Sequence, residues 1–278
     1  MINNDSIIVK IDGNIKRVLA KNLPTNTVFG VWNGMRWVPA ELDKIRKQPV
    51  KVATLDNGLS FNITDDDLYM VGSTIYMNKF DNGNEIGVPM LGAAVGYFLS
   101  GGIFDGNSTI YTIENSVIRD AIKEFWEMCG SKVDVNDNQV IVRSKTVQTM
   151  IKNYIDMSKT NVRLTDNIFN SSSKFKLGLI SGIEVPNDSG KWGRIHKTGV
   201  DIDDDIISVI ACMGLGIEVT PTDIYYKSNK MIDDGGHTYH TAKIIGISLP
   251  ASTNSNIYDL KSEDKNLSYM LGNGIIIR

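Results

Sequence analysis

The segment Pro89–Leu99 is a compact apolar run that contains four small residues, Gly92, Ala93, Ala94 and Gly96. Small residues at such close spacing let two helices approach backbone to backbone. Residues 175–183 are again short, apolar and glycine-bearing. Strand-like chain follows each run, at residues 108–113 and at Gly193-Arg194-Ile195-His196, and then comes a stretch with helical spacing. In residues 116–129 the apolar positions are Val117, Ile118, Ala121, Ile122, Phe125, Trp126 and Cys129. Residues 201–213 open with Asp201, Asp203, Asp204 and Asp205, which suit the positive end of a helix dipole. The helix ends also match, Cys129-Gly130-Ser131-Lys132-Val133 against Met213-Gly214-Leu215-Gly216-Ile217, each with glycine in the C-cap place. This is a diverged internal duplication, over about 87–158 and 165–235, each copy ordered helix, strands, helix, strands, helix.

The flanking chain reads as strands. Ile7-Ile8-Val9-Lys10-Ile11 meets the turn signal Asp12-Gly13, Val28-Phe29-Gly30-Val31-Trp32 meets Asn33-Gly34, and residues 49–55 meet Asp56-Asn57-Gly58. Residues 59–63 and 68–71 continue the pattern, and strand character returns in residues 239–249, 257–260 and 274–278. The predicted fold class is α+β: an all-β domain, residues 1–86 and 236–278, split by a duplicated insertion, residues 87–235. Trp32 and Trp37 flank Asn33-Gly34 and are expected to pack across one hairpin. Cys129 and Cys212 lie on helical apolar stripes and are expected to be buried thiols. His237 and His240 are read as surface or turn histidines, since a strand would put them on opposite faces.

Composition narrows the function classes. The chain is 42% apolar, which supports real cores, and carries a net charge of −3. No apolar run approaches the roughly 18 residues of a membrane helix, and residues 1–5 carry no signal-type segment. Two cysteines make no disulfide framework. The expected location is cytoplasmic, with no membrane partner. Many Asn, Ile and Lys residues suit an AT-rich genome such as a phage's, which would make the location the host cytoplasm or the virion.

Order and spacing of short motifs carry a family likeness over nearly the whole chain. Asp5-Ser6-Ile7-Ile8-Val9 with Asp12-Gly13 resembles the N-terminal block of an intein, and Asn57-Gly58 with Asn62-Ile63-Thr64 resembles the second splicing block. Residues 257–264 and 268–277 resemble the C-terminal blocks. Gly96-Tyr97-Phe98-Leu99-Ser100-Gly101-Gly102 and Gly178-Leu179-Ile180-Ser181-Gly182-Ile183-Glu184 resemble the paired motifs of a LAGLIDADG homing endonuclease. The resemblance implies a Hint-like β horseshoe split by a pseudo-twofold αββαββα domain. It also implies two chemistries. Splicing in that family needs a nucleophilic first residue, a histidine in a Thr-x-x-His pattern, a second histidine near the C-terminus and a terminal asparagine after a histidine. The corresponding positions hold Met1, Asp67, Leu267 and Arg278. Cleavage in that family needs an acidic residue at the end of each motif helix to hold a hard divalent metal, and Gly101 and Ile183 stand there. A second register of the first motif puts Asn107 at that place.

No catalytic residue and no cofactor are therefore expected. Asp105 and Glu184 lie next to the acidic positions and are the candidate Mg2+ ligands if endonuclease activity survives. Residues 85–234 carry about 20 acidic against about 15 basic residues, a poor balance for phosphate binding. Lys174, Lys176, Lys191, Arg194 and Lys197 are the candidate DNA-binding set. Three functions follow: an interaction or structural protein with a protein partner, a sequence-specific DNA-binding module that keeps the LAGLIDADG saddle, and a metal-dependent DNA endonuclease.

Overall fold

The computed structural model describes residues 5–34, 36–63, 74–78, 89–158, 161–186, 193–227, 239–248, 254–263 and 267–277. They form an α+β protein with antiparallel sheets. The chain divides into two compact units, one of Met1–Asp81, Asn187–Lys197 and Asp203–Arg278, the other of Asn82–Pro186 and Thr198–Ile202.

The first unit opens with β1 (Ser6–Ile11) and β2 (Asn14–Leu19), joined by Asp12-Gly13 with φ of 50° and 80°. Two left-handed residues in a two-residue loop match the twist of the strands they join, which is why Asp-Gly works there. Next come β3 (Phe29–Trp32), β4 (Trp37–Pro49), β5 (Lys51–Leu55), β6 (Ser60–Ile63) and β7 (Thr74–Asn78). Trp32 faces Trp37 across the β3–β4 pair, edge to face with ring centroids 5.5 Å apart, as the sequence predicts. The segment predicted over residues 68–71 lies outside the described residues, as does His237.

The second unit follows: α1 (Pro89–Leu99), β8 (Ile103–Asp105), β9 (Ser108–Thr112), α2 (Ser116–Met128), β10 (Lys132–Asn136), β11 (Gln139–Arg143), α3 (Lys145–Lys152), β12 (Ile155–Asp156), β13 (Arg163–Leu164) and α4 (Ser173–Ile183). Then come β14 (Gly193–His196), α5 (Val200–Cys212), β15 (Gly216–Val219), β16 (Asp223–Lys227), β17 (Tyr239–Ser248), β18 (Asn254–Lys261), β19 (Tyr269–Met270) and β20 (Ile275–Ile277). In the first unit the sheets run β18-β4-β3-β1-β2, β19-β20-β7-β17-β5-β6 and β14-β16-β15; in the second, β10-β11-β9-β8 and the pair β12-β13. The first copy has all the predicted elements in order. In the second, α4, β14, α5, β15 and β16 are present, and residues 228–238 lie outside the described residues.

Local chemistry starts and stops the helices. Asn115, Ser144 and Ser172 each accept a hydrogen bond from a first-turn backbone N–H, capping α2, α3 and α4. Gly130 and Gly214, at φ of 78° and 68°, close α2 and α5 in the same left-handed way. On α2 the buried residues are Ile122, Phe125 and Trp126. Cys129 is exposed, contrary to expectation, because it falls at the C-cap, where the chain has left helical geometry and the stripe no longer faces the core. Cys212 is buried as expected.

The core of the second unit is set by α1 and α4. Their glycines meet with no side chain between. A Cβ on Gly182 would lie 2.5 Å from the Ala93 carbonyl oxygen, and one on Gly96 would lie 2.8 Å from the Gly182 Cα. Side chains on Gly92 and Gly178 would run into the carbonyls of Phe175 and Pro89. The other side of α1 faces the four-stranded sheet: Phe98 stacks on Phe104 at 4.5 Å and meets Tyr111 edge-on. Tyr111 is fully buried, and its hydroxyl accepts a hydrogen bond from Trp126 Nε1 at 3.1 Å. Gly182→Ala is expected to lower the stability of the chain by about 1–3 kcal/mol, since two rigid backbones must part to admit the methyl group. Gly246→Ala, with open space around it, is expected to stay within about 0.5 kcal/mol of the parent in urea unfolding.

Candidate functional site

In the first unit, three segments far apart in sequence close on one cavity of about 190 Å³. They are the start of β1, the β6 strand, and the turn between β19 and β20, so the intein-like segments at residues 5–9, 57–64 and 268–277 converge there, while the one at 257–264 does not line it. Ile7 bridges to Leu271, and Gly272 N donates to the Ser6 carbonyl at 2.7 Å. Asn273 Nδ2 donates to the Ser60 carbonyl at 3.1 Å. Asp5 accepts from Asn62 twice, at 2.8 Å from the side-chain amide and 3.3 Å from the backbone N–H.

The cavity wall is charged as well as polar. Arg17, on β2, meets Asp205 of α5 at 2.9 Å and Asp204 at 3.5 Å. Asp205 is only 1% exposed. Ser208, one turn on, donates to the Gly272 carbonyl, which ties α5 to the β19–β20 turn. The predicted helix-start role of the aspartates is thus incomplete, because Asp205 anchors a buried ion pair. Burial raises the Asp5 carboxyl from its ordinary 3.8 to about 6; the nearby Asp204 charge adds to the rise, and the Asn62 hydrogen bonds oppose it. A carboxyl in that range exchanges its proton near neutral pH. The arrangement supplies an acid–base group, a fixed cation and two carboxamides around a small polar space.

A second ionic cluster lies on the β14-β16-β15 sheet. Asp223 is 4% exposed and accepts from Thr222 at 2.6 Å and Arg194 Nε at 3.0 Å, with His196 Nδ1 at 2.6 Å. These hydrogen bonds, Thr222 first and then Arg194, hold its carboxyl down at about 2.

The sequence-derived positions divide as follows. Met1, Asp67, Lys191 and Arg278 lie outside the described residues. Leu267 is half-buried before β19. Gly101 is exposed just after α1 with open space around its Cα, and Ile183 is buried at the end of α4. Neither carries a side-chain oxygen, so these two positions supply no carboxylate for a Mg2+ ion. Asn107 and Asp105 are exposed, and so is Glu184, whose charge lies close enough to Tyr97 to help burial raise the phenol. Among the described residues, no group of three His, Cys, Asp or Glu is placed to share a metal. Of the cationic set, Lys174 is exposed, Lys176 is 1% exposed and withdrawn from the surface, Arg194 is bound to Asp223, and Lys197 Nζ donates to the Thr220 carbonyl at 3.2 Å. No helix among the described residues is long and apolar enough to cross a membrane.

Sequence reasoning missed Arg17, Asp205 and Asp223 as organisers. One signal was available: Asp205 sits three residues after Ile202 and four before Val209, on the buried stripe of α5. An acid on an apolar stripe demands a partner. Compared with known proteins, the chain matches no protein-family model and no curated protein.

Two outcomes test the site. Arg17→Ala leaves Asp205 buried without its cation and is expected to cost about 3–5 kcal/mol in urea unfolding. For Asp5 the folded-state value lies above the unfolded one, so its stabilisation is complete below about pH 4 and is lost as pH rises through about 6. Asp5→Asn is expected to abolish that loss, so the parent's urea midpoint falls relative to the variant's across this window. Parallel pH profiles would contradict the assignment.

Proposed function

We propose that this chain derives from an intein with an inserted LAGLIDADG endonuclease and serves as an interaction or structural protein that neither splices nor cuts. The observation that carries the lineage is the convergence of the three intein-like segments on one cavity. The glycine-faced α1–α4 pair supports it independently, because the two LAGLIDADG-like motifs pack on each other. The loss of chemistry rests on residue identity: Asp67 and Leu267 replace the splicing histidines, and Gly101 and Ile183 replace the metal acids. The proposed setting is a phage or another AT-rich genome.

A protein partner is favoured over DNA by the solvent side of the β10-β11-β9-β8 sheet. That side carries Lys132 and Arg143 against Asp105 and Asp134, a balance of zero, with Arg143 already held by Asp134 at 2.7 Å. Affinity for a duplex comes largely from neutralising phosphates, and a balanced face supplies little of it.

The test embeds the chain between two reporter domains and separately incubates it with a randomised DNA library and Mg2+ or Mn2+. The expected result is an intact fusion, uncut DNA and no salt-dependent gel shift. Ligated reporters, or a metal-dependent nick lost in Asp105→Ala or Glu184→Ala, would overturn the proposal. A shift that weakens steeply with salt would replace it with the DNA-binding module.

A further inference from the structure

Strand register orders the solvent side of the four-stranded sheet into three rows. Lys132, Arg143, Ser108 and Asp105 face one another in turn across β10, β11, β9 and β8. Asp134, Ile141, Ile110 and Ile103 form the next row, and Asn136, Gln139 and Thr112 the third. The opposite side is the one under the helices, where Thr109, Tyr111, Val140 and Val142 are fully buried. Three adjacent isoleucines thus stand in a row on an outward face, and Ile103 is 56% exposed. Solvent-facing strand positions ordinarily carry polar side chains, so a contiguous isoleucine row marks a contact surface.

Charge runs along the first row with a direction, while the second row carries Asp134 at its β10 end. The cations Lys132 and Arg143 stand at the β10–β11 end of their row, and Asp105 stands at the β8 end. A two-fold axis parallel to the strands keeps each row in place and reverses the strand order. Face to face under that operation, Ile110 lies on Ile141 of the second copy, and Lys132 lies opposite Asp105 of the second copy. Each contact occurs twice, as an isologous interface requires. Ile110 and Ile141 fall at the centre and the Lys132–Asp105 contacts at the rim, while Asp134 of one copy lies opposite Ile103 of the other. We propose that the chain pairs with a second copy of itself through this sheet face. The inference rests on the interaction role proposed above and names its partner.

The face is small. Four strands at about 4.8 Å spacing, with same-side residues about 6.8 Å apart, span less than about 20 Å each way. Such a contact buries less than the roughly 1,200 Å² of a standard interface, so the dimer is weak, with a dissociation constant in the micromolar range.

Sedimentation velocity of the full chain from micromolar to hundreds of micromolar tests it. A concentration-dependent dimer is expected, and Ile110→Lys is expected to abolish it. Lys132→Asp and Asp105→Lys each put like charges face to face and are expected to weaken it about tenfold or more. The double variant restores the pairing and is expected to recover the parent affinity. All three positions lie on the outward face, and circular dichroism with urea midpoints verifies that each variant folds. A monomer at every concentration overturns the proposal, as does a dimer indifferent to the single charge reversals. A monomer that still fails to splice, cut or bind DNA sinks only the self-pairing. A dimer that nicks DNA sinks only the silent-scaffold function.

Discussion

The contact between α1 and α4 is a meeting of two backbones, and the second unit is built outward from it. Gly92 and Gly96 on one helix and Gly178 and Gly182 on the other remove the side-chain layer that normally holds helices 8–10 Å apart. Close approach brings the Ser100 hydroxyl to the Gly182 carbonyl at 3.1 Å, across the helix pair. It also leaves the far side of α1 free to press Phe98 onto Phe104 and Tyr111. One helix therefore serves two surfaces, a bare one against α4 and an aromatic one against the sheet. Gly101 follows the end of α1, and Ile183 is the last residue of α4.

The first unit depends on a different kind of interaction. Arg17 and Asp205 are drawn out of water together, and the cost of stripping each charge is recovered only while both remain. Ser208 and Gly272 extend the same tie to the turn before β20. Asp5 is buried in the resulting polar enclosure, and that burial holds its proton to higher pH. The Arg17–Asp205 and Ser208–Gly272 contacts tie β2, α5 and the β19–β20 turn around the enclosure.

Much of the fold is legible in short-range pattern. Asp12-Gly13 marks a hairpin because both residues tolerate left-handed φ, and Gly130 and Gly214 mark helix ends for the same reason. Trp32 and Trp37 announce their own pairing through the Asn33-Gly34 between them. The long β4 strand escapes notice because its second half is charged and exposed, so alternation fades where the strand leaves the core. Cys129 misleads because helical spacing continues one residue beyond the helix. Lys176 misleads because a lysine in an apolar run looks like a surface cation, whereas its position on α4 carries it inward.

Periodicity, turn residues and caps depend on neighbours a few positions apart, so the sequence alone determined the α+β class, the hairpin turns and the helix ends. Charge state and accessibility depend on groups far away along the chain. Asp5 meets Asn62 across 57 residues, and Arg17 meets Asp205 across 188. Only the tertiary structure decided that burial raises the Asp5 carboxyl to about 6, that an apparent helix-start aspartate is a buried anchor, and that the strand register lines up Ile103, Ile110 and Ile141 on one face. The physical reason is that desolvation and pairing are properties of an enclosure, and an enclosure exists only once distant segments have closed it.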